Sequence, residues 1–220
     1  MEGPAFLREL EELRDERLRG LAGAGGDSLA GAGLTQVGDL TKLLQIALAN
    51  EIGVSELAAA WVPITPEVDI KIALARQAGD EARHFQLVLG RLETLGFDLS
   101  RFTPPTANPL FEYLLSLPTS VERVAGGLFT LESIAYAVNE RFMELCAHLG
   151  DQETVRIYRD CIQPDERAHR DLGRTLLAKH ATGPESQARA RDTVLKTIEI
   201  ASGLRAKAAE RIGTRCFPGC

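Results

Sequence analysis

Asp80-Glu81-Ala82-Arg83-His84 and Asp165-Glu166-Arg167-Ala168-His169 are two copies of one pattern, Asp-Glu-x-x-His, in a chain of 220 residues. Each copy lies in a long stretch that reads as helix. Residues three apart on an α-helix differ by about 60° in azimuth and about 4.5 Å in height, so each Glu and His point the same way from adjacent turns. Such a pair can bind one metal ion. Two pairs on separate helices therefore predict a common metal site.

The stretches around these patterns predict four long helices. Thr65, Thr119 or Ser120, and Asp151 are the expected N-terminal caps, and Pro164 should bend the last of the four helices. The predicted helices A to D cover 35–61, 65–96, 119–150 and 151–181. Because no convincing period-two strand is found in the sequence, the predicted fold class is all-α.

Accessory segments flank this predicted core. Residues 1–33 are expected to form a short charged helix followed by a Gly/Ala-rich linker, and residues 34–182 the helical bundle. Residues 183–220 are expected to form a C-terminal helix and a tail that carries Cys216 and Cys220. The length suits one domain with appendages.

Two further glutamates lie upstream of the repeated pattern. Glu51 precedes Glu81 by 30 residues, and Glu132 precedes Glu166 by 34 residues. Both have apolar residues one helical turn away on either side, which predicts that they face the core. Buried carboxylates that oppose one another need cations between them. Four such glutamates carry a charge of −4, which two divalent ions would neutralise.

A Glu from each of two helices and a Glu-x-x-His from each of two others resembles the ferritin-like di-metal carboxylate proteins over residues 35–181. The spacings of 30 and 34 look closest to bacterial multicomponent monooxygenases, the phenylacetyl-CoA epoxidase catalytic subunit and the ribonucleotide reductase small subunit. The resemblance implies a ferritin-like four-helix bundle with accessory helices at both ends. The rubredoxin-like module of rubrerythrins is absent, and Val88 stands where a reductase radical tyrosine would lie.

Residue by residue, the resemblance implies one metal ion in each half of the site. The implied ligands are Glu51, Glu81 and His84 for one ion, and Glu132, Glu166 and His169 for the other. Glu81 and Glu166 would bridge the two ions and are the predicted catalytic residues.

The resemblance also implies residues that support the ligands. Asp80 and Asp165 would orient the histidines, with help from Arg83. Tyr136, one turn after Glu132, could hydrogen-bond a ligand carboxylate, or it could be an ordinary core tyrosine.

Other polar residues of the four helices have weaker claims to be ligands. Glu56 and Glu140 are alternative glutamate ligands with more polar neighbours. His180, near the end of helix D, suits the helix dipole better than ligation. Cys216 and Cys220 could be a redox couple or part of a disordered tail.

A carboxylate and imidazole set favours iron or manganese over zinc or copper. The expected cofactor is a pair of iron ions, with manganese or a mixed manganese and iron pair as the alternative. The resemblance then implies an oxidase or monooxygenase that uses O2 on a small organic substrate and draws electrons from an external reductase. A ferroxidase or iron-handling protein, and a non-catalytic metal-stabilised helical partner, are the alternatives. An apolar cavity beside the ions, lined by Leu128, Phe129 and the faces of helices A and B, would favour the oxygenase.

The composition of the chain limits which binding partners and which cellular location are expected. Lys and Arg number 25 against 31 Asp and Glu, so the net charge of −6 disfavours nucleic acid. The four cysteines are too unevenly spread for a disulfide framework, which fits a cytoplasmic protein. The sequence predicts neither a secretory signal nor a membrane span. A homodimer is compatible with the chain.

Overall fold

The computed structural model describes residues 3–21, 37–104 and 108–219. These residues form helices and connecting turns without β-strands, which confirms the predicted all-α class. The seven helices are α1 Gly3–Leu21, α2 Val37–Trp61, α3 Val68–Thr94, α4 Pro109–Leu115, α5 Ser120–Val124 continued by Ala125–Leu131 and Glu132–His148, α6 Gln152–Ile157 continued by Tyr158–Ile162 and Gln163–His180, and α7 Pro184–Ile212.

Two of the three predicted caps are confirmed. The Thr119 hydroxyl accepts a hydrogen bond from the Glu122 N–H at the start of α5, and Asp151 accepts one from the Thr154 N–H at the start of α6. The prediction for Thr65 is wrong. Its hydroxyl donates to the Trp61 carbonyl at 2.8 Å, at the end of the preceding helix, and α3 begins only at Val68.

Helices α5 and α6 each contain a π-helical segment just before a glutamate of the predicted site. Residues Ala125–Leu131 precede Glu132, and Tyr158–Ile162 precede the last part of α6, which carries Pro164 in its first turn. π-helical turns are rare and often accompany functional sites. The irregularity expected near Pro164 therefore takes the form of a wider turn placed before the proline.

The core has two apolar layers, and the predicted ligands of α2, α3 and α6 lie between them. On α2, Leu48 belongs to one layer and Val54 to the other, with Glu51 between them. On α3, Leu74 and Val88 stand in the same relation to Glu81. The bundle thus places acidic residues at mid-height, where apolar side chains above and below exclude water.

Both ends of the described chain pack on the bundle. Arg14 of α1 lies over the Phe129 ring at 4.3 Å. After α7, Phe217 is 4% exposed, and the buried Arg205 donates to the carbonyls of Phe217 and Gly219. The described part of the tail is therefore docked. The domain limits at 33 and 182 remain predictions, and the expected Gly/Ala-rich linker at 22–33 lies outside the described residues.

One helix has the length and composition of a membrane span, which the sequence analysis did not expect. Leu40–Trp61 has a mean hydropathy of 1.2 in its most apolar window, and 44% of that window is buried. Core helices of soluble proteins meet the same criteria, and this helix carries the buried Glu51 at its centre. A soluble protein is consistent with that arrangement.

Candidate metal centre

Helices α2, α3, α5 and α6 bring the six predicted ligands together in the middle of the bundle. Each ligand is at most 4% exposed. Their donor atoms form two groups, within each of which all atoms lie within 4.8 Å of one another. The groups are Glu51, Glu81, His84 and Glu166, and Glu81, Glu132, Glu166 and His169. Glu81 and Glu166 belong to both groups, so the arrangement is two adjoining cups with a common wall of two carboxylates.

The spacing of donor atoms around His84 suits an ion, although the shortest of the three distances is also a hydrogen bond. His84 Nδ1 lies 3.2 Å from Glu81, 3.6 Å from Glu51 and 3.9 Å from Glu166. Ligands about 2.1 Å from a metal ion are about 3.0 Å apart at an octahedral right angle and about 3.4 Å apart in a tetrahedron. The three spacings lie on either side of the tetrahedral value and are all somewhat longer than the octahedral one. The cup at His84 therefore has about the size of a coordinated ion.

The second cup has similar spacings. His169 Nδ1 lies 3.3 Å from a Glu81 oxygen and 3.7 Å from a Glu132 oxygen. Three polar atoms here are buried without a hydrogen-bond partner: Glu81 Oε1, Glu166 Oε2 and His169 Nδ1. Buried polar atoms without partners are costly, and metal coordination would satisfy all three. The residues present therefore fit metal ions.

Without metal, the two imidazoles hold protons. Burial would lower the pKa of His84, but the Glu51 and Glu81 carboxylates outweigh burial and raise the pKa to about 11. The same holds for His169: burial lowers its pKa, but the Glu132 and Glu81 carboxylates have the larger effect and raise the pKa to about 11. The protons compensate part of the buried negative charge in place of metal.

Two of the carboxyl groups have a pKa above the usual range. Burial raises the pKa of Glu51 to about 8, and it raises the pKa of Glu166 well above its usual range, aided by the charges of Glu132 and Glu81. The Glu81 carboxylate is the opposite case. Burial opposes its ionisation, but the two histidines hold its pKa well below its usual range.

Two aspartates orient the imidazoles from the outer side, and each acts across helices. His84 Nε2 lies 3.1 Å from Asp165 of α6, and His169 Nε2 lies 3.0 Å from Asp80 of α3. An Nε2–H bond of this kind leaves Nδ1 free to face the cup. Arg83 pairs with Asp165, as the resemblance implied for a supporting arginine. The metal-supporting roles themselves remain predictions.

Gln77 is a site residue that the sequence analysis missed. It is 1% exposed, and its side-chain nitrogen donates to Glu132 Oε1. A sequence signal existed, because Gln77 stands one turn before Glu81 and two turns before His84 on the core face of α3. An amide there breaks a face that is otherwise apolar or predicted to bind metal.

The alternative glutamate ligands lie outside both cups. Glu56 is exposed, and Glu140 is an exposed acceptor for Gln163 at 2.7 Å. His180 contacts Asp69 at 2.9 Å and so links the end of α6 to the start of α3. Tyr136 is half-buried under the Arg170 guanidinium at 5.1 Å. Both alternatives for Tyr136, a contact with a ligand carboxylate and an ordinary core tyrosine, stay untested.

A cavity of about 280 Å³ lies outside α2. Its lining includes Gly53, Leu57 and Phe111, on the side of α2 opposite Glu51. Leu128 and Phe129, which would favour the oxygenase if they lined an apolar cavity, are fully buried and line none of the described cavities. A Cβ added at Gly173 would lie 2.7 Å from their backbone, so α6 packs tightly at this point.

The described cysteines do not bear on the centre. Cys146 is buried, which raises its pKa, whereas Cys161 and Cys216 are half-buried. Their thiols are free, and Cys220 lies outside the described residues, so the redox couple stays a prediction.

Comparisons of the chain with protein families, with curated proteins and with solved structures find no match. The likeness to ferritin-like proteins therefore depends on the residues themselves. The molecule is a helical protein with a buried glutamate and histidine cluster that is compatible with a di-metal site.

Proposed function

We propose that the protein is a di-iron oxidase or monooxygenase that uses O2 to oxidise a small organic substrate. The observation that carries the proposal is the common wall of the two cups, where Glu81 and Glu166 each take part in both donor groups. Two ions bridged by carboxylates can act on one small molecule together. The carboxylate and imidazole donors favour iron, with manganese next.

Each side chain has a definite part in this proposal. Glu51 and His84 would hold one iron, Glu132 and His169 the other, and the two shared carboxylates would bridge them. When bound in the ferrous state, the pair supplies two electrons to O2. The apolar layers above and below the cups keep water from the reacting centre.

The overall reaction requires an external reductant. In a monooxygenation, one atom of O2 enters the substrate and the other leaves as water, with two electrons supplied by a reductase and two protons taken from solvent. Asp80 and Asp165 are 27% and 26% exposed and contact the histidines directly. Each aspartate forms a hydrogen-bonded connection between solvent and one cup, which is suited to proton delivery.

The test is anaerobic loading of the metal-free protein with ferrous iron, followed by metal counting and absorption spectra as O2 is admitted. We expect two irons per chain and a transient visible band. The Glu81→Ala variant should lose both. Glu56→Ala is the matched control, because this exposed glutamate lies on α2 outside the cups, and it should behave like the natural protein.

Other outcomes would overturn the proposal. Repeated uptake of many irons per chain would indicate a ferroxidase. Two tightly bound ions that do not react with O2 would indicate a non-catalytic protein stabilised by metal. Failure to bind iron or manganese would remove the metal function altogether.

A further inference from the structure

Gln77 distinguishes the two cups. Its amide is 1% exposed, donates a hydrogen bond to Glu132 Oε1 and leaves its own Oε1 without a partner. The nitrogen must face the carboxylate, because two oxygens there would repel. The same Glu132 oxygen lies 3.7 Å from His169 Nδ1. The amide therefore acts on an oxygen at the rim of the second cup.

In the first cup, no side chain from outside the predicted ligands makes a described hydrogen bond to Glu51. Glu51, the counterpart of Glu132, has only other predicted ligands as described partners: His84, whose Nδ1 lies 3.6 Å away, and the Glu81 carboxyl group. The amide closest in position on α6 is Gln163, three residues before Glu166. Gln163 donates to Glu140 at 2.7 Å and to a backbone carbonyl at 3.1 Å, both outside the cups.

A fixed carboxylate binds an ion more tightly than a mobile one, because less rotational freedom is lost on binding. Removal of a hydrogen bond that orients a metal ligand weakens binding by about 10- to 100-fold. Gln77 provides this support at Glu132. Among the described residues, no side chain from outside the cups provides it at Glu51.

We infer that Gln77 makes the two metal positions unequal, so that the position between Glu132 and His169 fills first. The inference rests on the proposed di-metal function. The unpartnered Oε1 of Gln77 then remains as an acceptor for a water or a substrate hydroxyl beside that position. Gln77 is thus a positioning residue: it acts on the metal through Glu132.

The experiment is a calorimetric titration of the metal-free protein with Mn²⁺ under anaerobic conditions, with electron paramagnetic resonance to count bound ions. The natural protein should show two binding steps. Gln77→Met, which keeps the side-chain length, should weaken only the tighter step, by about 10- to 100-fold. Gln163→Met is the matched control and should leave both steps unchanged. Gln77→Leu replaces Gln77→Met if the latter does not fold.

A double-variant comparison separates this role from a general structural effect. In a Glu51→Gln background, where only the His169 position remains, the Gln77 change should weaken the remaining ion. In a Glu132→Gln background it should have no effect. Equal steps in the natural protein, or equal weakening of both steps by Gln77→Met, would overturn the inference and leave the di-metal function intact. An absence of bound ions in the natural protein would instead refute the proposed function.

Discussion

Replacement of Gly173 by alanine tests the helix contact that positions Glu132. Gly173 of α6 packs directly against the π-helical segment of α5. An added Cβ would lie 2.7 Å from the Leu128 carbonyl carbon and 2.7 Å from the Phe129 nitrogen. Both atoms belong to the backbone, so a side-chain rotation cannot relieve the clash.

The expected magnitude follows from these distances. Ordinary contact begins at 3.4 Å, so α5 and α6 must separate by about 0.7 Å, the difference between 3.4 and 2.7 Å. Overpacking of this kind costs about 1–3 kcal/mol of unfolding free energy. For a chain of this size each kcal/mol lowers Tm by about 2–4 °C. The variant should therefore melt about 2–12 °C lower.

The assay compares Gly173→Ala with Gly203→Ala in thermal and urea unfolding. Gly203 is an exposed position of α7, and its added Cβ would meet nothing within 4 Å. Alanine there should stabilise the protein by about 0.4–1 kcal/mol. Because the displaced segment leads directly into Glu132, Gly173→Ala should also weaken metal binding. Equal stability of the two variants would refute the packing argument.

Three further predictions concern the surroundings of the cups. Asp165→Asn keeps the shape of the group that contacts His84 but removes its charge. Metal affinity measured by titration should therefore fall by about 10- to 100-fold. An unchanged affinity would argue against an orienting role for Asp165. The folded-state pKa values of about 11 for His84 and His169 exceed the reference value of 6.5, and that of Glu51 is about 8 against 4.5. Metal-free protein should therefore lose stability as pH rises from 7 to 9. Metal binding should release protons and become tighter over the same range, which calorimetry in buffers of different ionisation enthalpy can measure. A metal affinity that does not change with pH would contradict this. Arg205→Met removes the buried guanidinium that binds tail carbonyls. The free energy of unfolding should fall by about 1.5–3 kcal/mol, and hydrogen exchange in the tail should become faster. Unchanged exchange would show that other contacts hold the tail in place.

The residues that form the cups could be predicted from the sequence because the pattern that they follow is local. The spacing of Glu81 and His84 places both side chains on one helix face, whatever the rest of the chain does. Glu51 and Glu132 were recognisable because a carboxylate stood within an apolar helical stretch. Burial forces such groups to find compensation, so four of them imply a common site.

The contacts between helices could not be predicted in this way. The pairing of Asp165 with His84, and of Asp80 with His169, depends on how α3 and α6 face each other. The position of Gln77 on the core face of α3 could be read from the sequence, but its partner Glu132 on another helix could not. The start of α3 was misjudged because the Thr65 hydroxyl has a tertiary partner in the preceding helix, which local capping preference does not include.

Anomalous diffraction at the iron edge, from crystals of protein loaded anaerobically with ferrous iron, tests the central claim most directly. Two peaks per chain are expected, one beside His84 Nδ1 and one beside His169 Nδ1, about 3.5–4 Å apart with Glu81 and Glu166 between them. A single peak, or iron bound only at the protein surface, would contradict a di-metal centre.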